Sequence, residues 1–166
     1  MKRRDKWNPA AAVQDLESSL PIKLLQAREL VMHRFRDHLR EHGLTEQQWR
    51  VLRVLVERGP LEMMELSERS FLLPPSLSRT VPMLEEKGLV DREVVGNDRR
   101  RTRVSLTSQG RRLFGKVSSG SEAIYAAIGQ QVGQRILDEL FHALDAFILK
   151  FSPREWPLEA HKGARR

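Results

Sequence analysis

PPSLSRTVPMLEEKGLVDREVVGNDRRRTRVSLTSQG, residues 74–110, reads as one helix, two short strands and an arginine-loaded turn between the strands. Leu77, Val81 and Leu84 recur at i, i+4 and i+7, which lines them up on one face of a helix. Pro75 brings a φ already set for a first turn, and Gly88 can take the left-handed conformation that closes a helix, so both ends are marked. The opposite face carries Pro75, Ser76, Ser78, Arg79, Pro82 and Met83, mostly small, hydroxylic or cationic side chains that leave room for a groove wall. Arg79 is long enough to fork onto a guanine edge, and the two serines suit phosphates or base edges. Pro82 cannot donate to the carbonyl of Ser78, a loss of ~3 kcal/mol that predicts a kink in the helix.

Residues 89–95 and 102–106 are apolar or β-branched segments around Gly96-Asn97-Asp98, a turn cluster tolerant of positive φ, and so predict a hairpin. Its tip and second strand hold Arg99, Arg100, Arg101 and Arg103, with Asp98 as the one nearby carboxylate. A cationic loop of this kind suits phosphates or a narrow minor groove. An arginine run by itself is commonly a solvated turn. Following a helix with a small-residue face, it reads instead as half of a DNA-reading unit. The candidate DNA-binding set is therefore Pro75, Ser76, Ser78, Arg79, Asp98, Arg99, Arg100, Arg101 and Arg103.

Charge supports a polyanionic partner because it is concentrated. Residues 96–112 hold six arginines against one aspartate, a local +5 of the whole chain's formal +7. An excess spread evenly would act mainly on solubility, whereas one confined to a turn marks a binding footprint. Cysteine is absent, which removes disulfides, thiolate metal sites and thiol redox sensing. No apolar run approaches the length that spans a bilayer. The opening MKRRDKWNPAAAVQDLESS has the positive start of a signal peptide without the apolar stretch behind it, so a cytoplasmic protein is expected. No Ser-His-acid spacing or metal cluster suggests an enzyme, and no cofactor is expected.

Outside the central stretch, residues 1–17 lack a clear period and are expected to form a mobile arm. Ser18 or Ser19 can cap a helix with Pro21 in its second position, running to about Glu41 along Leu20, Leu24, Ala27, Val31, Phe35 and Leu39. Leu25, Leu30 and Met32 widen that stripe beyond one partner surface, which suggests a subunit interface. Arg28 falls on the stripe, where a guanidinium is either paired within the protein or left to clamp the carboxylate of a small ligand. Gly43 closes this helix. Thr45 and Gln48 then make a capping box, with Leu44 and Trp49 as a hydrophobic staple.

Trp49, Leu52, Leu55 and Val56 form the buried stripe of the second helix, which Gly59-Pro60 ends. Residues 62–70 read as a third helix with Met63, Leu66 and Met64 inward, and with the helix after it they make a helix-turn-helix. Thr107 caps a long helix that Gly133 can bend. Residues 136–151 make a last one, too apolar to stand alone. His38 and His42 share a helix face at a metal-ligand spacing, but with no third ligand in a matching position no metal is assigned. The chain thus divides into an arm at 1–17, a helix at 18–43, a DNA-binding unit at 44–106, terminal helices at 107–151 and a tail at 152–166. The fold class is mainly α (α+β), a winged helix-turn-helix with flanking dimerisation helices.

With those parts in place the chain resembles the MarR family of transcription regulators over residues 20–150. The resemblance is carried by Asp98, Arg100, Val104, Leu106 and Thr107, which match the family's wing pattern Asp-x-Arg-x-x-x-Val-x-Leu-Thr. Leu84-Glu85, Gly88-Leu89-Val90 and Arg92 precede it. Residues 20–29 and the run HGLTEQQWRVLRVL are similar to the homoprotocatechuate-type regulators of aromatic-acid degradation. The resemblance implies a homodimeric repressor on a pseudo-palindromic DNA operator. Release would come from a phenolic or aromatic carboxylate bound between the dimer helices and the winged unit, and Arg28, Trp49 and Arg53 make the candidate ligand-binding set. The alternative is a winged-helix protein-interaction adaptor that binds no DNA, although an adaptor has no need of four arginines on a hairpin.

Overall fold

In a computed structural model that describes residues 8–94 and 101–151, the helix marked by Leu77, Val81 and Leu84 is α5, Pro74–Glu86. All three are buried, as one apolar face requires. Pro82 lies inside α5 half-buried, and the helix continues past it to Glu86. α4, Met63–Ser70, precedes it, and the turn between them is closed by Phe71 at φ 52, a left-handed conformation rare outside glycine. The Ser67 hydroxyl donates to the Leu72 carbonyl at 2.5 Å and so ties that turn shut. Met64 departs from expectation: it is 77% exposed, because Leu66 and Ser67 take the inward positions of this eight-residue helix.

α3, Glu46–Arg58, starts with the expected capping box: Gln48 N donates to Thr45 Oγ1 at 3.2 Å and Thr45 N to Gln48 Oε1 at 3.1 Å. Its Trp49, Val51, Leu52 and Leu55 are buried in one cluster with Leu66, Val81, Leu84 and Val104. The wing strands are β2, Val90–Val94, and β3, Thr102–Leu106. Val95, the Gly96-Asn97-Asp98 turn, Arg99 and Arg100 lie outside the described residues. A strand that the sequence reading missed, β1 at Leu61–Glu62, pairs with the far edge of β3 and makes a three-stranded antiparallel sheet of order β1-β3-β2. Two residues show no alternation. β1 exists because β3 presents an edge that its carbonyls and amides can satisfy.

α2, Leu20–Glu41, begins after Ser19 with Pro21 near its start, but the Ser19 side chain makes no capping bond. Its stripe is only partly covered: Phe35 and Leu39 are buried, while Leu20, Leu24 and Val31 are each 41% exposed. Within the stretch read as an arm, Pro9–Gln14 form α1 and Leu16–Ser18 a 3-10 turn held by Asp15. α6, Ser108–Val132, is capped by Thr107 Oγ1, which accepts from Gly110 N at 2.9 Å. Gly133, at φ 87, separates it from α7, Gln134–Phe151, in which no residue is buried.

The join between wing and α6 is close. A Cβ at Gly110 would collide with the Leu89 carbonyl oxygen. Beside it Thr107 N donates to that same carbonyl at 3.1 Å and Thr107 Oγ1 to the Gly88 carbonyl at 2.8 Å. No helix among the described residues is long and apolar enough to cross a membrane.

Candidate functional site

Two surfaces collect the residues singled out by sequence. On the first, α5 turns Leu77, Thr80, Val81 and Leu84 inward, which leaves Pro75, Ser78, Arg79 and Met83 exposed and Ser76 half-buried. Arg79 makes no hydrogen bond or ion pair with any described residue, so its guanidinium projects unengaged from a rigid helix. Arg101 differs, because it forks onto Glu62 of β1, with Nη2 2.5 Å from Oε1 and Nε 3.2 Å from Oε2. That bond holds the Glu62 carboxyl below the usual range despite an opposing desolvation, with the Arg101 and Arg103 charges adding to it. Arg103, exposed on β3, stands in register between Glu62 and Glu93 on its two neighbouring strands, and its side chain makes no hydrogen bond or ion pair with either. The missed strand therefore supplies a carboxylate that braces the base of the wing.

The second surface is a cleft of about 300 Å³ between α2, α3 and α6. Aromatic pairs build its walls: Trp49 stacks on Phe114 with centroids 4.9 Å apart, and Phe35 meets Tyr125 at 5.0 Å. Ser118 and Ser121 of α6 also line it. Three arginines, Arg28, Arg50 and Arg53, face it against two glutamates, Glu46 and Glu122, which leaves a net +1 among its lining side chains. A pocket of this size, largely apolar with a few placed charges, has the general character of a small-molecule site.

The rim arginines are not equivalent. Arg28 is 43% exposed at its side chain and engaged, to Glu29 at 2.5 Å and to Glu46. Arg36 bonds the same two carboxylates, with Nε 2.6 Å from Glu46 Oε1. Burial pushes the Glu46 carboxyl up, but the hydrogen bonds from Arg36 and Arg28 outweigh it and hold the group below the usual range. Of the two roles the sequence left open for Arg28, this pairing is the arrangement within the single chain. Arg53, one helical turn beyond Trp49, has no hydrogen bond or ion pair to any described residue and is the free guanidinium on the cleft. Arg28, Trp49 and Arg53 are brought together on one cleft, while Asp98, Arg99 and Arg100 fall outside the described residues.

Arg50 was missed, although it sits next to Trp49 in the chain. Its Nη1 donates to the carbonyls of Ser70 and Phe71 at 3.2 and 3.3 Å, and its Nε is buried without a partner. Burial, with the charge of Arg28 adding to it, pulls its guanidinium below the usual arginine value. One side chain thus touches both the cleft and the turn of the helix-turn-helix. Phe114 and Tyr125 were missed too. They lie three turns apart on α6, and only the packing of α6 across α2 and α3 brings them to the cleft.

A helix-turn-helix with a braced two-stranded wing, beside a cleft with apolar walls and a few charges, is the architecture of a winged-helix transcription regulator. The MarR family pattern matches residues 42–101. The chain is 37% identical over 140 residues, 84% of its length and 95% of the relative's, to the homoprotocatechuate degradative operon repressor of Escherichia coli. Among solved structures, transcriptional regulator PA4135 matches with TM-score 0.76 at 39% identity, over 81% of this chain and 98% of that one. NadR in complex with 4-hydroxyphenylacetate matches with TM-score 0.67 at 34% identity, over 92% and 100%. The chain belongs to the MarR family, whose regulators bind DNA and small-molecule ligands; the relatives it matches are transcription regulators rather than enzymes.

Proposed function

We propose that this chain is a homodimeric repressor that acts in the cytoplasm and leaves its operator when an aromatic carboxylate enters the cleft between α2, α3 and α6. The observation that carries the reading is Arg53, a guanidinium without a bond to any described residue, beside the Trp49–Phe114 stack in a cleft with a net positive lining. An aromatic acid would lay its ring on that stack and its carboxylate on Arg53, with Arg28 and its glutamate partners shaping the rim. The complex of the similar regulator NadR with 4-hydroxyphenylacetate supports this ligand class. DNA contact would fall to Arg79, Ser76, Ser78 and Pro75 on α5, and to Asp98, Arg99, Arg100, Arg101 and Arg103 on the wing. The exposed apolar faces of α2 and α7 support dimerisation through residues 18–43 and 107–151.

The test measures release of labelled operator DNA by 4-hydroxyphenylacetate and other aromatic acids, for the wild type and for Arg53→Gln. A lost charge-assisted pair contributes ~1.5–3 kcal/mol, so the variant should need at least about tenfold more acid while binding operator normally. Equal response in both proteins, or no response to any aromatic acid, overturns the ligand assignment.

A further inference from the structure

The geometry points to a binding site for a divalent transition-metal ion of the zinc type at the C-terminal turn of α2, formed by His38, Glu41 and His42 and separate from the effector cleft. These three side chains offer one ligand atom each, all within 4.8 Å of one another. Residues i, i+3 and i+4 project from one side of a helix, so a single turn presents all three. The third ligand, for which the sequence showed no matching position, is the Glu41 carboxylate immediately before His42.

What distinguishes this cluster from a chance meeting of surface polar groups is how the rings are held. His38 Nε2 lies 2.9 Å from the Val117 carbonyl, and His42 Nδ1 lies 3.0 Å from the His38 carbonyl. A carbonyl oxygen only accepts, so each of those nitrogens carries a hydrogen, and in the neutral rings the lone pairs sit on His38 Nδ1 and His42 Nε2. Metal-ligating histidines are characteristically oriented in this way, with the other ring N–H given to a carbonyl that fixes tautomer and direction. The rings sit edge to face, 4.9 Å between centroids. His38 is also seated against α6 at Gly120, where a Cβ would strike its imidazole. Its position is therefore set by a neighbouring helix before any ion arrives.

Two imidazole nitrogens and one carboxylate favour zinc, cobalt or nickel over magnesium or calcium, which take oxygen ligands. Drawing the donors to the ~3.3 Å separations of a tetrahedral shell asks only small rotations of half-exposed or exposed side chains, and water completes the fourth position. An ion here would fasten the last turn of α2 where it meets α6. Val117 and Gly120, which seat His38, alternate along α6 with the cleft residues Ser118 and Ser121.

The experiment uses the full chain, freed of any purification tag and stripped with chelator. Co²⁺ is titrated against visible absorption, and Zn²⁺ is measured by competition with a chromogenic chelator. The expected result is one ion per chain, Co²⁺ displaced by Zn²⁺ and not by Mg²⁺ or Ca²⁺, with Glu41→Gln and His42→Gln each weakening binding about tenfold or more. Both are surface substitutions whose fold can be verified by circular dichroism. Failure to retain an ion at equimolar concentration overturns the proposal. So does undiminished binding by the folded Glu41→Gln/His42→Gln double variant, which would assign the ion to another site.

Discussion

The winged unit and the last helix use the same apolar side chains to opposite effect. In the winged unit Leu52, Leu55, Leu66, Val81, Leu84 and Val104 are fully shielded by one another. In α7, Ile136, Leu140, Phe141, Phe147, Ile148 and Phe151 remain between 38% and 76% exposed. Water tolerates single exposed apolar side chains, but a whole helix of them marks a surface whose cover comes from elsewhere. The contrast separates what this chain folds for itself from what it holds ready for a partner, which in the proposed reading is a second copy.

The largest expected effect tests that separation directly. Leu52→Ala should cost about 2–5 kcal/mol in urea unfolding, because it opens a cavity in the self-contained core. Leu140→Glu in α7 should leave the winged unit folded by circular dichroism while sedimentation shows the proposed dimer giving way to monomer. If the α7 variant unfolds as readily as Leu52→Ala, the two regions are one cooperative core and the contrast collapses.

Within the winged unit the same logic separates a cation with no bond to any described residue, Arg79, from a flanked one, Arg103. Arg79→Ala should relax base preference by about 1–3 kcal/mol at one operator position, measured by anisotropy on mutated operators. Arg103→Ala, on the wing, should weaken specific and random DNA alike and flatten the salt slope by about one. Equal losses on all sequences from both variants would erase the distinction between reading and anchoring.

The smallest effect lies at the rim of the cleft. The Glu46 carboxyl is held below its unfolded value, so its bonds to Arg36 and Arg28 contribute fully above that value and are lost as the pH falls through the folded one. Stability of the wild type should therefore drop by about 1 kcal/mol more than that of Glu46→Gln on acidification below the ordinary carboxylate range, as for other partly exposed pairs. Parallel pH–melting curves would show that the network contributes nothing.

Much of this was legible in the chain because the signals were local. Thr45 with Gln48, Thr107 with Gly110, and the Leu77, Val81, Leu84 stripe each lie within one or two turns, and backbone chemistry fixes their meaning. The failures were relations at a distance. β1 depends on the edge of β3 some 40 residues on, with Leu61 opposite Val104. For Arg28 the sequence allowed pairing within the protein but could not name Glu46, 18 residues away across a helix junction, as a partner. Met64 was misplaced because an eight-residue helix gives periodicity too few turns to decide between neighbouring methionines. The cleft's aromatic walls needed α6 laid across α2 and α3, which no spacing within α6 announces.

The seam at Gly110 has a mechanical consequence. With no room for even one carbon between α6 and the Leu89 carbonyl, and with Thr107 bonded across the gap, wing and helix have no slack and move as one rigid lever. α6 has 25 residues, an arm of about 37 Å, so a tilt of about 5° pivoting at its far end displaces the wing by about 3 Å. A displacement of that size is enough to break a hydrogen bond, and so in the proposed dimer a few degrees of rotation between the two copies would decide whether a wing arginine reaches a phosphate.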